Sequence, residues 1–593
     1  MDRAPLPENT DKDRKFTVPD IDARFKSANA DELREFGASE DAETQLDLGK
    51  RYEHELGDPS EAARWYRMAA EQGNTDAMFF LGNVLWNDPE ADVEEAVKWY
   101  KAAAEKGNAD AQSCLGDIMS QGYIDEPDYK EAARWYRMAA DQGNGAAQCN
   151  LGALYGSGYI GVTDPAEAVR LFRLSAENNF AGGLFNMGKA YLLGIGVEKN
   201  GPEAVRYLEA AAEQGDQRAL VFLGHMHMDG EGIPKDAAKA AEWYSIAADA
   251  GSDEAQFILG LLYSNGKGVE KDDAKAAELF RMAADRGNVD AQYNLAVMYD
   301  RGRGVEKDRT EAAKWYETAA DNGDGESLNI LGTRHCEGDG VPLDYEKASM
   351  MFANASVMGC KMAMYNLGNI YWFGRGVPQN LEEGARWYEL AADHGIAVAE
   401  YMIGAIFYSG MGLGDHLKGV EYLRSAANHG HSGSQCIMGD LHSIGDGVPQ
   451  SFEDAADWYG KAAADGLAEA QRKLGTMYRD GVGVRMDREE ALRLFASAAD
   501  QDDAEAQSAL GRAYMRGEGI DKDAVTAITW LRLAAERGDT DACDALGRAY
   551  EMGDGVPKDR DEAGKWYAAA KQDRAPDEDL AFRWGGWIDG GED

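Results

Sequence analysis

Residues 255–287 (AQFILGLLYSNGKGVEKDDAKAAELFRMAADRG) and 291–323 (AQYNLAVMYDRGRGVEKDRTEAAKWYETAADNG) agree at nearly every small, aromatic and glycine position at an offset of 36 residues. A Leu-Gly pair marks the same point of each unit. Its second residue is Gly49, Gly82, Gly116, Gly152, Gly188, Gly224, Gly260, Ala296, Gly332, Gly368, Gly404, Gly439, Gly475, Gly511 or Gly547, which gives fifteen units across residues 42–572. A unit of this length cannot enclose a core by itself and has to bury its apolar face against its neighbours. The usual division of a 593-residue chain into about four independent globular domains therefore does not apply.

Each unit reads as two helices. Ala291, Leu295 and Tyr299 fall at i, i+4 and i+8, on one face of a first helix. The glycine pair Gly302 and Gly304 ends it, recurring as Gly374/Gly376 and Gly553/Gly555, because glycine takes the left-handed turn of a helix C-terminus at no steric cost. Asp308 with Glu311, Asp487 with Glu490 and Asp559 with Glu562 have the spacing of capping boxes that open a second helix. Its apolar stripe is Ala312, Trp315, Tyr316, Ala319 and Ala320, and Gly323 closes it. Tryptophan recurs in alternate units at 243, 315, 387, 458 and 530, with Leu279, Met351, Tyr422 and Leu494 between, so the Trp-Tyr pair is expected to fill the wedge between helices. The expected fold is all-α, an α-solenoid of about fifteen antiparallel helix pairs with no sheet.

Charge excludes whole classes of partner. Asp and Glu number 106 against 61 Lys and Arg, a formal charge of −45, so the surface repels a phosphate backbone or an anionic membrane. Neither nucleic acid nor membrane is an expected partner, and no apolar run reaches the length of a spanning helix. The opening MDRAPLPENTDKDRKF has no apolar stretch of a secretory signal, and the six cysteines show no recurring pair spacing. A cytoplasmic location with reduced, mostly buried cysteines is the expectation. Residues 1–41 carry 11 acids and 7 bases, residues 573–593 carry 7 acids and 2 bases, and the remaining charge is spread along the array.

The string A-x-x-x-L-G-x-x-Y-x-x-G-x-G-V-x-x-D-x-x-x-A-x-x-W-Y-x-x-A-A-x-x-G resembles the Sel-one-like repeat, a branch of the tetratricopeptide-like helical repeats. The resemblance implies a right-handed superhelix whose first helices line the concave face. It further implies a role as adaptor or scaffold for proteins, without catalysis. A secreted bacterial branch of that family pairs cysteines within each repeat, which this chain does not do.

No constellation for chemistry emerges. Pairs such as Gly266/Gly268 recur in eleven of the fifteen units and follow a helix rather than a strand, which makes them helix terminators and not phosphate cradles. His227, His335 and His442 stand where other units have Tyr155, Tyr191 or Tyr263, and read as tyrosine replacements rather than metal ligands. Cys114, Cys149 and Cys436 occupy small-residue helix positions. No cofactor, metal or catalytic residue is expected.

The positions that differ between units carry more information. Three residues before the marker glycine stand Phe79, Phe185, Phe257, Tyr293, Tyr365 and Tyr401, and four after it Trp86, Trp372 and Tyr408, offsets that the family resemblance places on the groove. Tyr365, Trp372, Tyr401 and Tyr408, joined by Tyr293 and Phe257, are therefore candidate anchors for a protein or peptide; the alternative is packing against the neighbouring repeat. A basic partner would suit the acidity, and an inhibitor or immunity-type protein that neutralises a basic enzyme is the alternative function. In the flanks, Ile21, Phe25, Leu33 and Phe36 make residues 1–41 a candidate cap, disordered in part. Phe582, Trp584 and Trp587 make 573–593 a second cap or a binding motif.

Overall fold

The computed structural model describes residues 41–124, 126–410 and 415–571. The candidate N-terminal cap up to residue 40 and the tryptophan-containing tail lie outside the described residues. Thirty α-helices, from Ala42–His54 to Arg560–Ala569, and no strand occur among the described residues. The chain forms two compact bodies, Met1–Ala291 and Gln292–Asp593, and in each of them consecutive helices pack as hairpins, hairpin upon hairpin. The expected all-α solenoid is what is observed.

Helix ends follow the sequence signals with one exception. Gly266, Gly302, Gly374 and Gly553 sit at the helix C-termini with φ of +66°, +68°, +63° and +81°. Asp308, Asp487 and Asp559 accept hydrogen bonds from the backbone N–H of Glu311, Glu490 and Glu562 at 2.9, 3.0 and 3.0 Å. The reciprocal arm of a capping box is absent here. The N–H of Asp308 instead donates to the Tyr299 carbonyl oxygen at 2.9 Å, and the same nine-residue closure recurs in twelve units, through Asp559 and Tyr550. Glu311 is thereby released to pair with Lys314 at 2.8 Å.

The second glycine of each pair is a packing residue as well as a turn. At Gly268 (φ +78°) a β-carbon would come within 2.2 Å of the Ala237 carbonyl oxygen, and at Gly483 (φ +71°) within 2.2 Å of that of Phe452. These turns are wedged against the start of the preceding unit's second helix, not slung free in solvent.

The marker glycines have a different reason. Each lies beneath one second-helix side chain: a β-carbon on Gly116 would approach the Tyr136 ring to 2.4 Å, and one on Gly439 the Tyr459 ring to 2.5 Å. Unit eight tolerates Ala296 in this slot, with Tyr316 still buried. The ring that enters the core is thus the tyrosine of the Trp-Tyr pair. Trp243, Trp315, Trp387, Trp458 and Trp530 are partly buried, and Trp243 and Trp387 each pack against two core clusters, so of the pair the tyrosine goes deeper and the tryptophan packs beside it. Alanine pairs such as Ala247/Ala248 and Ala462/Ala463 bring helices together. Buried glutamines then stitch unit to unit: Gln112, Gln148, Gln256 and Gln507 donate to the carbonyls of Ala104, Ala140, Ala248 and Ala499 at 3.0 to 3.1 Å.

Candidate functional site

The first helices set the site, because they carry most of the positions that change from unit to unit. The candidate aromatics divide between core and surface. Tyr365 is 0% exposed, Trp372 3% and Tyr401 5%, so these rings offer a partner almost no area: Tyr365 and Trp372 pack on the second helix of their own unit and Tyr401 on the start of the next unit. The physical reason is shared. The residue three before the marker glycine turns onto the ring that covers that glycine: Tyr365 lies 5.8 Å from Tyr388, Tyr293 5.9 Å from Tyr316 and Phe257 5.9 Å from Phe280, centroid to centroid. Trp372 also meets Tyr388, at 6.1 Å, and Tyr401 stacks on His431 at 4.6 Å. Phe257, Tyr293 and Tyr408 keep part of their surface in solvent. Tyr408 stacks on His416 at 4.6 Å, and its hydroxyl donates to Asp446 at 2.9 Å.

The histidines at tyrosine positions are structural. His335 Nδ1 meets the Pro342 carbonyl oxygen at 2.8 Å and His442 Nδ1 that of Pro449 at 3.2 Å, which ties each helix to the turn that follows. Five cysteines are buried and Cys114 is partly so, all unpaired, and burial pushes the thiols of Cys336, Cys360 and Cys436 up to about 12.

A polar network on this face was missed by the sequence reading. In four units the residue after the marker glycine receives the hydroxyl of the core tyrosine: Tyr100 on Asn83 at 2.8 Å, Tyr136 on Asp117 at 2.6 Å, Tyr388 on Asn369 at 2.7 Å and Tyr459 on Asp440 at 2.7 Å. The signal was partial: units whose core residue is Phe172, Phe280 or Leu423 carry Ala153, Leu261 and Ala405 at that position, but those with Leu208, Phe352, Phe495 or Leu531 carry Lys189, Thr333, Thr476 and Arg512.

Two of these networks are copies of one another. In unit three Asp117 accepts from Tyr136 and, at 2.9 Å, from Asn150 Nδ2, while Ser120 lies 3.1 Å from the Tyr136 hydroxyl. In unit twelve Asp440 accepts from Tyr459, Ser443 lies 3.4 Å from that hydroxyl, and Lys473 stands where Asn150 does. Lys473 Nζ donates to both Asp440 oxygens at 2.7 Å and lies 2.7 Å from Glu469 and 3.7 Å from Cys436 Sγ. Atoms of Cys436, Asp440 and Glu469 come within 4.8 Å of one another, the spacing of a cation site, and the lysine ammonium is the cation that fills it. Burial opposes that charge, but Cys436, Asp440 and Glu469 hold it above the usual lysine range. Asp117 has no such cation, and burial pushes its carboxyl up to about 6 against the lowering effect of the Tyr136 and Asn150 bonds.

Each body has an open cleft beside its first helices. One of about 760 Å³ runs from Ser113 to Arg218 past Asp117, Asn150, Phe180 and Gly182. Another of about 470 Å³ is lined by Arg479, Arg488, Arg512 and Arg516 with Asp480, Glu518 and Asp541.

A profile of the Sel1 repeat matches fifteen consecutive segments, from 42–74 to 540–574, and the chain belongs to the Sel1 repeat family. Among solved structures it is similar to c5321, described as a protective antigen present in uropathogenic Escherichia coli strains and displaying an SLR fold. The two are 28% identical over 74% of this chain and 94% of that one, with a TM-score of 0.55. A Sel1 repeat protein from Oxalobacter formigenes is 33% identical over 52% of this chain and 90% of that one, with a TM-score of 0.47. No curated protein gives a significant match. Repeats of this kind build helical scaffolds for protein interaction and are in general non-catalytic. No helix among the described residues is long and apolar enough to cross a membrane.

Proposed function

We propose that the chain is a non-enzymatic scaffold or adaptor that holds a protein or peptide on the face formed by its first helices. The observation that carries this reading is the contrast between two sets of positions. The marker glycine and the alanine pairs hardly vary and the covering side chain is always Tyr, Phe or Leu, whereas the solvent-reached position after that glycine runs through Lys50, Ala153, His225, Thr476, Arg512 and Arg548. A framework held constant under a changing display is what recognition needs, and catalysis would call for one conserved constellation. Phe257, Tyr293 and Tyr408 are the aromatic anchors with surface to offer, and the unpaired cysteines support a cytoplasmic setting.

The inhibitor alternative asks for acids free to mimic a polyanion. Many are committed to the framework: Asp344 and Asp523 cap helices, and Glu167 and Glu203 pair with Arg170 and Arg206 at 2.8 Å. Affinity purification of the tagged chain, followed by cross-link mapping, tests the scaffold reading. Links on first-helix residues are expected; links confined to the second helices would overturn it.

A further inference from the structure

The two copies of the Asp-Tyr-Ser network differ in one respect that identifies a ligand. In unit twelve the network is closed by Lys473 and Glu469; at the corresponding points unit three with its neighbour has Asn150 and Ala146. Both bonds to Asp117 land on Oδ1, and among the described residues Oδ2 accepts none. Where Lys473 fills its seat, the 760 Å³ cleft opens at Asp117. We propose that this cleft takes a lysine side chain of a protein partner, its ammonium on Asp117 Oδ2 as Lys473 sits on Asp440, and the inference rests on the scaffold reading above.

Chemistry favours lysine over arginine. One oxygen is available, which suits a point charge rather than a two-pronged guanidinium. Ala146, Ala153 and Ala181 line the approach and suit a four-carbon stem. The charges agree: the cleft holds Asp117, Asp216 and Arg218, and Arg218 is already paired with Asp216 at 2.6 Å and lies over the Phe185 ring, which leaves Asp117 to be neutralised. A peptide is the source rather than a free amine, because a single side chain leaves most of the cleft, toward Phe180 and Gln217, for flanking residues.

Saturation-transfer NMR on the full chain tests this with the peptide Ac-Ala-Ala-Lys-Ala-Ala-NH2, its norleucine counterpart and butylammonium. Transfer to the lysine ε-methylene is expected, with none for norleucine. The signal should fall roughly fivefold or more in Asp117→Asn, which keeps an acceptor for Tyr136, and in Asn150→Lys, whose own ammonium fills the seat. Equal transfer in wild type and both variants, or none in any, overturns the proposal. Butylammonium bound as well as the peptide overturns the peptide source. A partner cross-linked to first helices yet indifferent to both variants sinks this inference and leaves the scaffold standing, whereas Asp117-dependent transfer with no first-helix cross-links sinks the scaffold reading alone.

Discussion

Tyr388 rests on the backbone of Gly368, so close that a β-carbon there would come within 2.6 Å of the ring. The ring is fully buried and cannot retreat without unseating Tyr365 and Trp372, which pack on it. Gly368→Ala should therefore destabilise by about 1–3 kcal/mol despite the better helix propensity of alanine. In unit eight, where Ala296 is native, the reverse change Ala296→Gly should cost only about 1 kcal/mol. Denaturant midpoints decide; equal losses at both sites would mean that the glycine slot is not steric.

Tyr316 and Trp315 test which member of the pair holds the layer. Tyr316 is 2% exposed while Trp315 is half-buried at the edge. Tyr316→Ala should cost about 3–5 kcal/mol and Trp315→Ala under about 2 kcal/mol. The opposite ranking in urea melts would make tryptophan the main filler.

The number of helices, their boundaries and the register of the array were legible because a 36-residue period and its glycines act through local backbone geometry, which needs no knowledge of neighbours. The site was less legible. Periodicity places Tyr365 on one face of its helix, but whether that face meets solvent or the ring of Tyr388 depends on the angle at which two helices cross, and no spacing within one helix encodes it. Asp117 escaped notice for a related reason: its meaning lies in a tyrosine nineteen residues away and an asparagine in the next unit.

The turn glycines differ in what they touch. Gly483→Ala meets both a positive φ and the Phe452 carbonyl, whereas Gly287→Ala meets a positive φ of +93° with open space around it. Gly287→Ala should cost about 1 kcal/mol and Gly483→Ala clearly more. For the same reason a residue inserted between Gly481 and Gly483 should lower the melting temperature more than one inserted beside Gly287. A well-tolerated insertion between the pair would show that the turn can leave its wedge.

Asp117 makes stability depend on pH with a definite sign. Its carboxyl lies near 6 in the fold against 3.8 ordinarily, so between those values the native chain holds a proton that the unfolded chain releases. Its effect is most favourable in acid and is lost as pH rises through 6. The other ionisable groups in view are Asp110 and Cys114 on its own helix, Tyr100, Tyr123 and Tyr136, Cys149 from the next first helix, and Arg218 with Asp216 across the cleft. Asp117→Asn should gain roughly 2 kcal/mol more on wild type at pH 7.5 than at pH 4, with about half of that difference already present at pH 5. Melts at these pH values showing no change in the difference would place Asp117 in water.

Thiol titration probes burial directly. Burial raises the Cys149 thiol to about 11 and those of Cys336, Cys360 and Cys436 to about 12, so a thiol reagent at pH 8 should react at least roughly tenfold faster after unfolding. Rapid labelling of all six in the native protein would contradict the core assignment.

The clasp between the Asp308 N–H and the Tyr299 carbonyl oxygen is made by main-chain atoms alone, and the units that close through Met119, His227 or His335 keep it unchanged. The closure of each hairpin is thus indifferent to what its first helix displays. A lineage carrying such a chain can rewrite its recognition code one module at a time, without renegotiating the fold with every edit.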